Sequence, residues 1–486
     1  MPDFSFMRKH LSACLAAAVI LAAFFYTSAQ YINHDVGWFM YAARGILNGG
    51  SLYQDYIDVN GPLAYLTLVP AAWLSNFISN EAALTLNVLV YIILSYALCA
   101  AVIAHMKLQE KQKLIFLCGI LIILCFMPHF SFAQREHLLV VFMMPYVLAV
   151  SLRGLKKPLP TRLAIACGIA AAIAASIKLP YLVVPFVIEA AAFVRQKSKL
   201  ILAPELVALI AAVILINLIC FAAYPIYWTD ILPSAVALYG PYNNINFIFD
   251  ALLLQLPLFA FALAIGEYRG RSAPAAARWM MLAAIAGSFV LFVGQRKGWP
   301  HHSLPVLMFI AALCVLHVID LPKDRLTARL RAAISGLALI GAFYLTFTGG
   351  NVDTKMITDV EKRVKDSDGS FWILSTGNHP AFPIALDKKY TWTSRFPQLI
   401  LLPGLAQADL KGITSPHEAP FRKALLEDFQ RGKPAHVFLF MLPDAGMPPG
   451  YDMLAWLRRD PGFDAEWKHY HQTEIAEPFV VFRRKY

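Results

Sequence analysis

Eleven apolar runs, each able to cross a bilayer alone or with flanking residues, follow one another along the chain as far as Thr348. They lie near residues 11–28, 82–104, 114–128, 137–152, 163–177, 181–194, 200–222, 251–267, 277–293, 303–319 and 331–348. A hydrocarbon core of roughly 30 Å asks for about 20 apolar helical residues per crossing, and inside it every backbone polar group must be satisfied within the protein. These runs confine the chain to a polytopic bundle of membrane-spanning helices. Composition agrees, with 58% of the 486 residues apolar and 15% charged, against roughly 45–50% and about 25% in soluble domains.

A formal charge of +11 would, in a soluble protein, suit binding to a polyanion. Its distribution excludes that class. Residues 1–348 hold 24 Lys+Arg and 14 Asp+Glu, net +10, whereas residues 349–486 hold 18 and 17, net +1. The basic residues cluster between apolar runs, at Lys107/Lys111/Lys113, Arg153/Lys156/Lys157/Arg162, Arg195/Lys197/Lys199, Arg269/Arg271/Arg278 and Lys323/Arg325/Arg329/Arg331. With Arg8 and Lys9 on the cytoplasmic side, all these clusters fall inside, and only Arg44, Arg135, Lys178, Arg296 and Lys297 remain outside: 19 of 24 inside, five outside. That asymmetry is the positive-inside pattern of a multi-pass protein with a cytoplasmic N-terminus and an external tail. It requires residues 62–78 to dip in from outside as a half-helix without crossing, which is permitted where protein or a water-filled cavity surrounds the break. The first run, ending in Thr27-Ser28-Ala29, also has the shape of a cleavable signal peptide; an uncleaved first span is the preferred reading because ten more follow.

Cys14, Cys99, Cys118, Cys125, Cys167, Cys220 and Cys314 all lie in apolar runs with neither disulfide nor zinc-ligand spacing, as small buried hydrophobes do. The chain therefore divides into a transmembrane domain, 1–348, and a tail, 349–486. Short apolar runs in the tail at Phe371, His436 and Phe479, separated by helix-like stretches at 421–429 and 451–459, give the order strand, helix, strand, helix, strand of a small α/β domain. Within it, Thr391-Trp392-Thr393-Ser394-Arg395-Phe396 is either a strand and turn or a segment closing over the cavity.

The first external loop runs His34-Asp35-Val-Gly-Trp-Phe-Met-Tyr41-Ala-Ala-Arg44 to Gly49-Gly50, then Leu52-Tyr53-Gln54-Asp55-Tyr56 and Asn60-Gly61-Pro62. Helical spacing from Asp35 to Leu47 predicts a short interfacial helix with Asp35 at its start. Asp is a favoured N-cap, so Asp35 is either the cap or a reactive carboxylate. This loop, together with the many-span layout and the polar tail, resembles the first periplasmic loop of GT-C glycosyltransferases, the polytopic enzymes that include protein O-mannosyltransferases and lipid A aminoarabinose transferases. The resemblance implies a GT-C fold of about 11 spans with a re-entrant helix, in a bacterial inner membrane, with the C-terminal α/β domain periplasmic. It implies a sugar taken from a polyprenyl-phosphate carrier and attached, with inversion, to a cell-envelope glycan, lipid or protein acceptor such as lipopolysaccharide. By the same resemblance Asp35 is the general base, or holds a metal acting as one. Some members of the family use a divalent cation (Mg2+ or Mn2+), and no spacing in this chain selects one.

The chemistry asks independently for a base at the acceptor hydroxyl and for cations at the leaving phosphate. Basic residues at the outer ends of spans run against the charge bias, which makes them candidates. Arg296, Lys297, Lys178 and Arg135 are accordingly expected to hold the carrier phosphate, with His137 and His301 as further substrate-binding residues and Glu136 or Asp58 orienting the acceptor or a metal. Plainer roles stand beside each: Arg135 and Glu136 as an ion pair, Lys178 snorkelling to the interface, His301 and His302 as interfacial side chains. Tyr53 and Tyr239 are candidates for stacking on sugar rings, while Tyr227 and Trp228 suit an aromatic belt. A transporter or flippase of lipid-linked glycans is the rival class, and it would more often show paired broken helices in internal repeats.

Overall fold

The computed structural model describes residues 4–153, 159–196, 202–264, 272–322 and 324–485. Of the basic clusters expected inside, Lys156, Lys157, Lys197, Lys199, Arg269, Arg271 and Lys323 lie outside the described residues. The chain opens with α1 (Phe4–Ser28), followed in the first long loop by α2 (His34–Leu47), α3 (Pro62–Leu66) and α4 (Val69–Leu74). Six helices follow: α5 (Asn80–Ala104), α6 (Glu110–Phe126), α7 (Arg135–Ser151), α8 (Thr161–Ile177), α9 (Val183–Gln196) and α10 (Pro204–Ala223). After the short α11 (Leu232–Leu238) come α12 (Ile245–Ala264), α13 (Ala273–Gln295), α14 (Pro300–Ile319) and α15 (Arg325–Thr348). Each of the eleven apolar runs thus has its helix; α5, α10, α13, α14 and α15 are long and apolar enough by themselves to cross a membrane.

Two compact units emerge. The first comprises Met1–Gln30, Leu74–Cys220 and Ile245–Asn351; the second comprises Tyr31–Trp73, Phe221–Asn244 and Val352–Tyr486. A single cut at residue 348 therefore misses two segments, the first long loop and Phe221–Asn244, that fold with the tail.

In the helical unit α14 is central, with 94% of its apolar window buried against 11% for α10 at the periphery. It packs against α6, α7, α12, α13 and α15. Close helix approach rests on small residues, as between packed membrane helices generally: a Cβ on Gly168 of α8 would fall 2.2 Å from the Glu205 carbonyl oxygen of α10. At the end of α7, Arg153 pairs with Glu189 of α9 at 2.5 Å and also bonds Glu205 of α10, so the buried guanidinium and carboxylates satisfy one another.

The second unit contains most of the segment expected to dip into the membrane, up to Trp73. It is broken into α3 and α4, of five and six residues, far too short to cross. Its sheet lies in the tail, which begins with α16 (Thr354–Lys365). There follow β1 (Ser370–Leu374), α17 (Ala381–Ile384), β2 (Thr391–Trp392), α18 (Leu402–Leu410), α19 (Glu418–Gly432), β3 (His436–Phe440), α20 (Met453–Arg458), α21 (Pro461–Trp467), β4 (Tyr470–Ala476) and β5 (Phe479–Arg484). The strand order is β2-β1-β3-β5-β4, with β1 parallel to β2 and β3, and β5 antiparallel to β3 and β4. The expected strand and helix order is found as β1, α19, β3, α20 and β5. Two strands escape a reading of apolar pattern: β2 has two residues, and β4 is an edge strand whose side chains mostly face solvent. Thr391–Phe396 is β2 and its turn, with Ser394 and Arg395 tied to Asp428.

Candidate functional site

In the second unit, Asn33 caps α2: its Oδ1 accepts the backbone N–H of Asp35 at 3.0 Å. Asp35 therefore stands in the first turn of the helix without being its cap. The positive end of the helix favours its ionised form. Asp35 Oδ1 accepts from Asn378 Nδ2 at 3.0 Å and lies 3.9 Å from His34 Nε2, and the side chain keeps 23% exposure. The neighbouring His379 ring is 5.8 Å from that of His34. Burial first, then the His34 charge, lowers the His379 pKa to about 4, so the ring is neutral at pH 7.

The local fold fixes this arrangement. Asn378 and His379 follow β1 at the carboxyl ends of the parallel strands β1 and β3, where α/β sheets commonly place binding residues. Asp444 clamps the same loop, accepting from Ser375 Oγ at 2.9 Å and from the Thr376 N–H. α17 presses on α2 so closely that a Cβ on Gly37 would lie 3.0 Å from Phe382 Cβ, and Trp38 packs edge-on against Phe382 at 5.2 Å. Arg44, one of the five cations expected outside, donates to the Leu386 carbonyl at 2.9 Å and so helps hold this loop. A run of Ser375-Thr376-Gly377-Asn378-His379 directly after an apolar strand was the available signal for these residues.

Two expected site residues of the loop serve its architecture instead. Asp58 is buried and accepts from the Val59 N–H at 2.7 Å, Asn60 Nδ2 at 2.6 Å and Tyr65 Oη at 3.0 Å. It anchors the turn into α3, and is committed there rather than offered to a substrate. Tyr53 is buried, donates to the Asn60 carbonyl at 2.6 Å and packs against Tyr227 at 5.1 Å. Tyr239 is half-buried, with its ring 4.8 Å from that of Tyr242.

In the helical unit a second cluster gathers on Glu136, in the first turn of α7. The carboxylate is fully buried, with Lys178 Nζ at 3.5 Å and His302 Nε2 at 3.7 Å from Oε1. Lys178, at the end of α8, also donates to Gln295 Oε1 at the end of α13 and lies 5.7 Å from the Tyr181 ring centroid. Arg135 is buried beside Glu136 and acts on its charge. His301 and His302 pack edge-on at 4.6 Å, with Trp299 at 5.7 and 5.3 Å. One carboxylate against two cations, Lys178 and Arg135, leaves the cluster net positive. A positive charge in low dielectric suits a phosphate anion.

Glu136, His301 and His302 also offer three ligand atoms within 4.8 Å of one another. One oxygen and two nitrogens do not suit Mg2+ or Mn2+, which favour oxygen donors, and Lys178 and Arg135 already place two positive charges there. These three donors thus do not suit Mg2+ or Mn2+.

The remaining expected phosphate ligands divide. His137 is fully buried and both ring nitrogens are taken by backbone, Nδ1 by the Ala133 N–H at 3.1 Å and Nε2 by the Leu124 carbonyl at 2.9 Å. It is a structural histidine, not a substrate ligand. Arg296 ends α13 in the left-handed region at φ 55° and is exposed, whereas Lys297 is buried, and burial lowers its pKa to about 8.

No family model and no curated protein matches the chain. Its fold does match solved structures. The crystal structure of ArnT from Cupriavidus metallidurans bound to undecaprenyl phosphate aligns over 97% of this chain and 97% of that one, with a TM-score of 0.55 and 13% identity. The apo ArnT structure aligns over 99% and 98%, again at 0.55 and 13%. The fold is thus that of these ArnT structures, a helical body with a small C-terminal α/β domain, as expected from the sequence.

Proposed function

We propose that this chain, with the fold of ArnT, is a membrane glycosyltransferase of a bacterial inner membrane that moves a sugar from a polyprenyl-phosphate carrier to a hydroxyl of a cell-envelope glycan, lipid or protein. Asp35 carries this reading. Its carboxylate is not the cap of its helix, stays partly open to solvent and is held by Asn378. A carboxylate so placed is suited to remove a proton from an acceptor hydroxyl. The hydroxyl oxygen then bonds to the anomeric carbon as the bond from that carbon to the carrier phosphate oxygen breaks. The configuration inverts, the proton stays on Asp35, and the carrier leaves as its phosphate.

The leaving phosphate gains charge in this step, and preorganised cations lower the barrier. Within the helical unit, Lys178 and Arg135 are proposed to bind the carrier phosphate, with Glu136 orienting Lys178, and Lys297 and His301 as further contacts. Exposed Arg296 is left as a headgroup contact at the interface. We propose that the transfer uses no divalent cation, because Lys178 and Arg135 supply the positive charge one would bring. ArnT, in the structure bound to undecaprenyl phosphate, supports a carrier of that class.

The test uses purified full-length protein in liposomes with a panel of undecaprenyl-phosphate-linked pentoses and hexoses, and the membrane glycolipids of the producing cells as acceptors. Transfer by the wild type and its loss in a folded Asp35→Asn variant are expected. Full activity in Asp35→Asn would overturn the assignment of the base. Carrier crossing the bilayer with no transfer would instead favour a flippase.

A further inference from the structure

We propose that Asn378 and His379 work with Asp35: Asn378 positions the carboxylate of the base, and His379 accepts a hydrogen bond from a second hydroxyl of a polyol acceptor. The inference rests on Asp35 being the base. It assigns the C-terminal α/β domain a direct part in acceptor recognition.

The case for Asn378 is geometric. Its side chain is buried, its Nδ2 lies 3.0 Å from Asp35 Oδ1, and its loop is clamped by Asp444 through Ser375 and Thr376. Only the amide nitrogen can bond a carboxylate, which fixes which way the amide faces. A neutral amide orients the carboxylate without adding a positive charge, so it depresses basicity less than Lys or Arg would at that distance. That is the requirement on a residue holding a general base.

His379 contributes an acceptor. Its Nε2 is buried with no hydrogen-bond partner among the described residues, while the ring bonds the Asp353 backbone through its other nitrogen. A neutral imidazole that donates from one nitrogen presents the other as an acceptor only. Buried acceptors left without a donor are uncommon and costly, and a ligand hydroxyl would remove that cost. The titratable groups facing the pair are His34 on α2 and Asp353 ahead of α16. A glycan acceptor offers the needed pair of donors: one hydroxyl yields its proton to Asp35, and a second donates to His379.

Three variants of the full-length protein in liposomes test this, with undecaprenyl-phosphate-linked sugars as donors and the producing cells' own glycolipids as acceptors. Asn378→Ala should lower kcat at least tenfold and leave the donor KM within twofold. His379→Phe should raise the acceptor KM at least fivefold with the donor KM unchanged. Asn378→Asp, near-isosteric, places a like charge beside Asp35 and should move the acid limb of the pH–rate profile upward. A substrate-independent readout accompanies these: infrared difference titration of wild type against Asp35→Asn gives the protonation midpoint of Asp35, which Asn378→Asp should raise. Thermal unfolding identifies any variant that has merely failed to fold. An unchanged midpoint in a folded Asn378→Asp protein overturns the positioning role, and an unchanged acceptor KM in His379→Phe overturns the acceptor role. If Asp35→Asn keeps full activity, the base assignment itself fails; if Asp35→Asn is inactive while the Asn378 and His379 variants behave as wild type, only this inference fails.

Discussion

The backbone N–H of Asp35 donates to Asn33 Oδ1 at 3.0 Å, so the carboxamide caps the start of α2 and the carboxylate two residues on does not. Asn33 satisfies the helix end, and the Asp35 carboxylate accepts from Asn378 instead. The two functions are separable by substitution. Asn33→Ala should lower stability by about 1 kcal/mol, the usual worth of an N-cap, and change turnover only a few-fold. Asp35→Asn should do the reverse, and paired denaturation and transfer assays distinguish them.

Glu136 is fully buried and depends on Lys178 for compensation. Removing one partner of a buried pair costs about 3–5 kcal/mol; Lys178 keeps some exposure, so Lys178→Met should cost somewhat less. The same variant should raise the donor KM at least tenfold. The double variant Lys178→Met/Glu136→Gln should recover stability without recovering the donor KM. Recovery of both would make the pair purely structural.

Lys297 carries a pH prediction. Burial lowers its pKa to about 8, so the ammonium is charged below that pH and neutral above it. Its attraction for a phosphate is therefore present at pH 7 and lost as pH rises through about 8. The donor KM should climb over that range, and Lys297→Arg, whose guanidinium stays charged, should abolish the climb. An identical profile in Lys297→Arg removes Lys297 from donor binding.

His137 should behave as structure. With both nitrogens bonded to backbone, His137→Ala would leave the Ala133 N–H and the Leu124 carbonyl unpaired in an apolar surround, a cost of about 1–3 kcal/mol per group. The expected result is a lower unfolding temperature in detergent with the donor KM unchanged.

The proposed absence of a divalent cation is tested by chelation. EDTA should leave the transfer rate within twofold. A loss restored by a divalent metal, and absent in Glu136→Gln, would show that Glu136, His301 and His302 hold one.

Much of the helical body was legible in the sequence because its cause is local. Lipid requires each spanning segment to satisfy its own backbone, so apolar run length marks the helix, and all eleven runs became helices. Residues 62–78, expected as a half-helix, carry the two short helices α3 and α4, and Pro62 and the preceding Gly61 mark the start of α3. In the tail, β1, β3 and β5 begin as apolar runs and are visible as such, whereas β2 and β4 carry no pattern of their own and exist through pairing.

The roles of the polar residues were decided elsewhere. Asp35 was identified by its place in the loop, but whether it capped α2 depended on Asn33, and its hydrogen-bond partner Asn378 lies 343 residues away. Asp58 and His137 have the residue types of site groups, yet the turn into α3 and the backbone around α7 use up their hydrogen-bonding capacity. Lys178, Gln295 and His302 meet around Glu136 only because α7, α8, α13 and α14 end together. The sequence by itself determined where helices form and which charges stand out; the tertiary structure alone decided which of those charges already had partners, since burial and hydrogen bonding across distant segments leave no periodic trace.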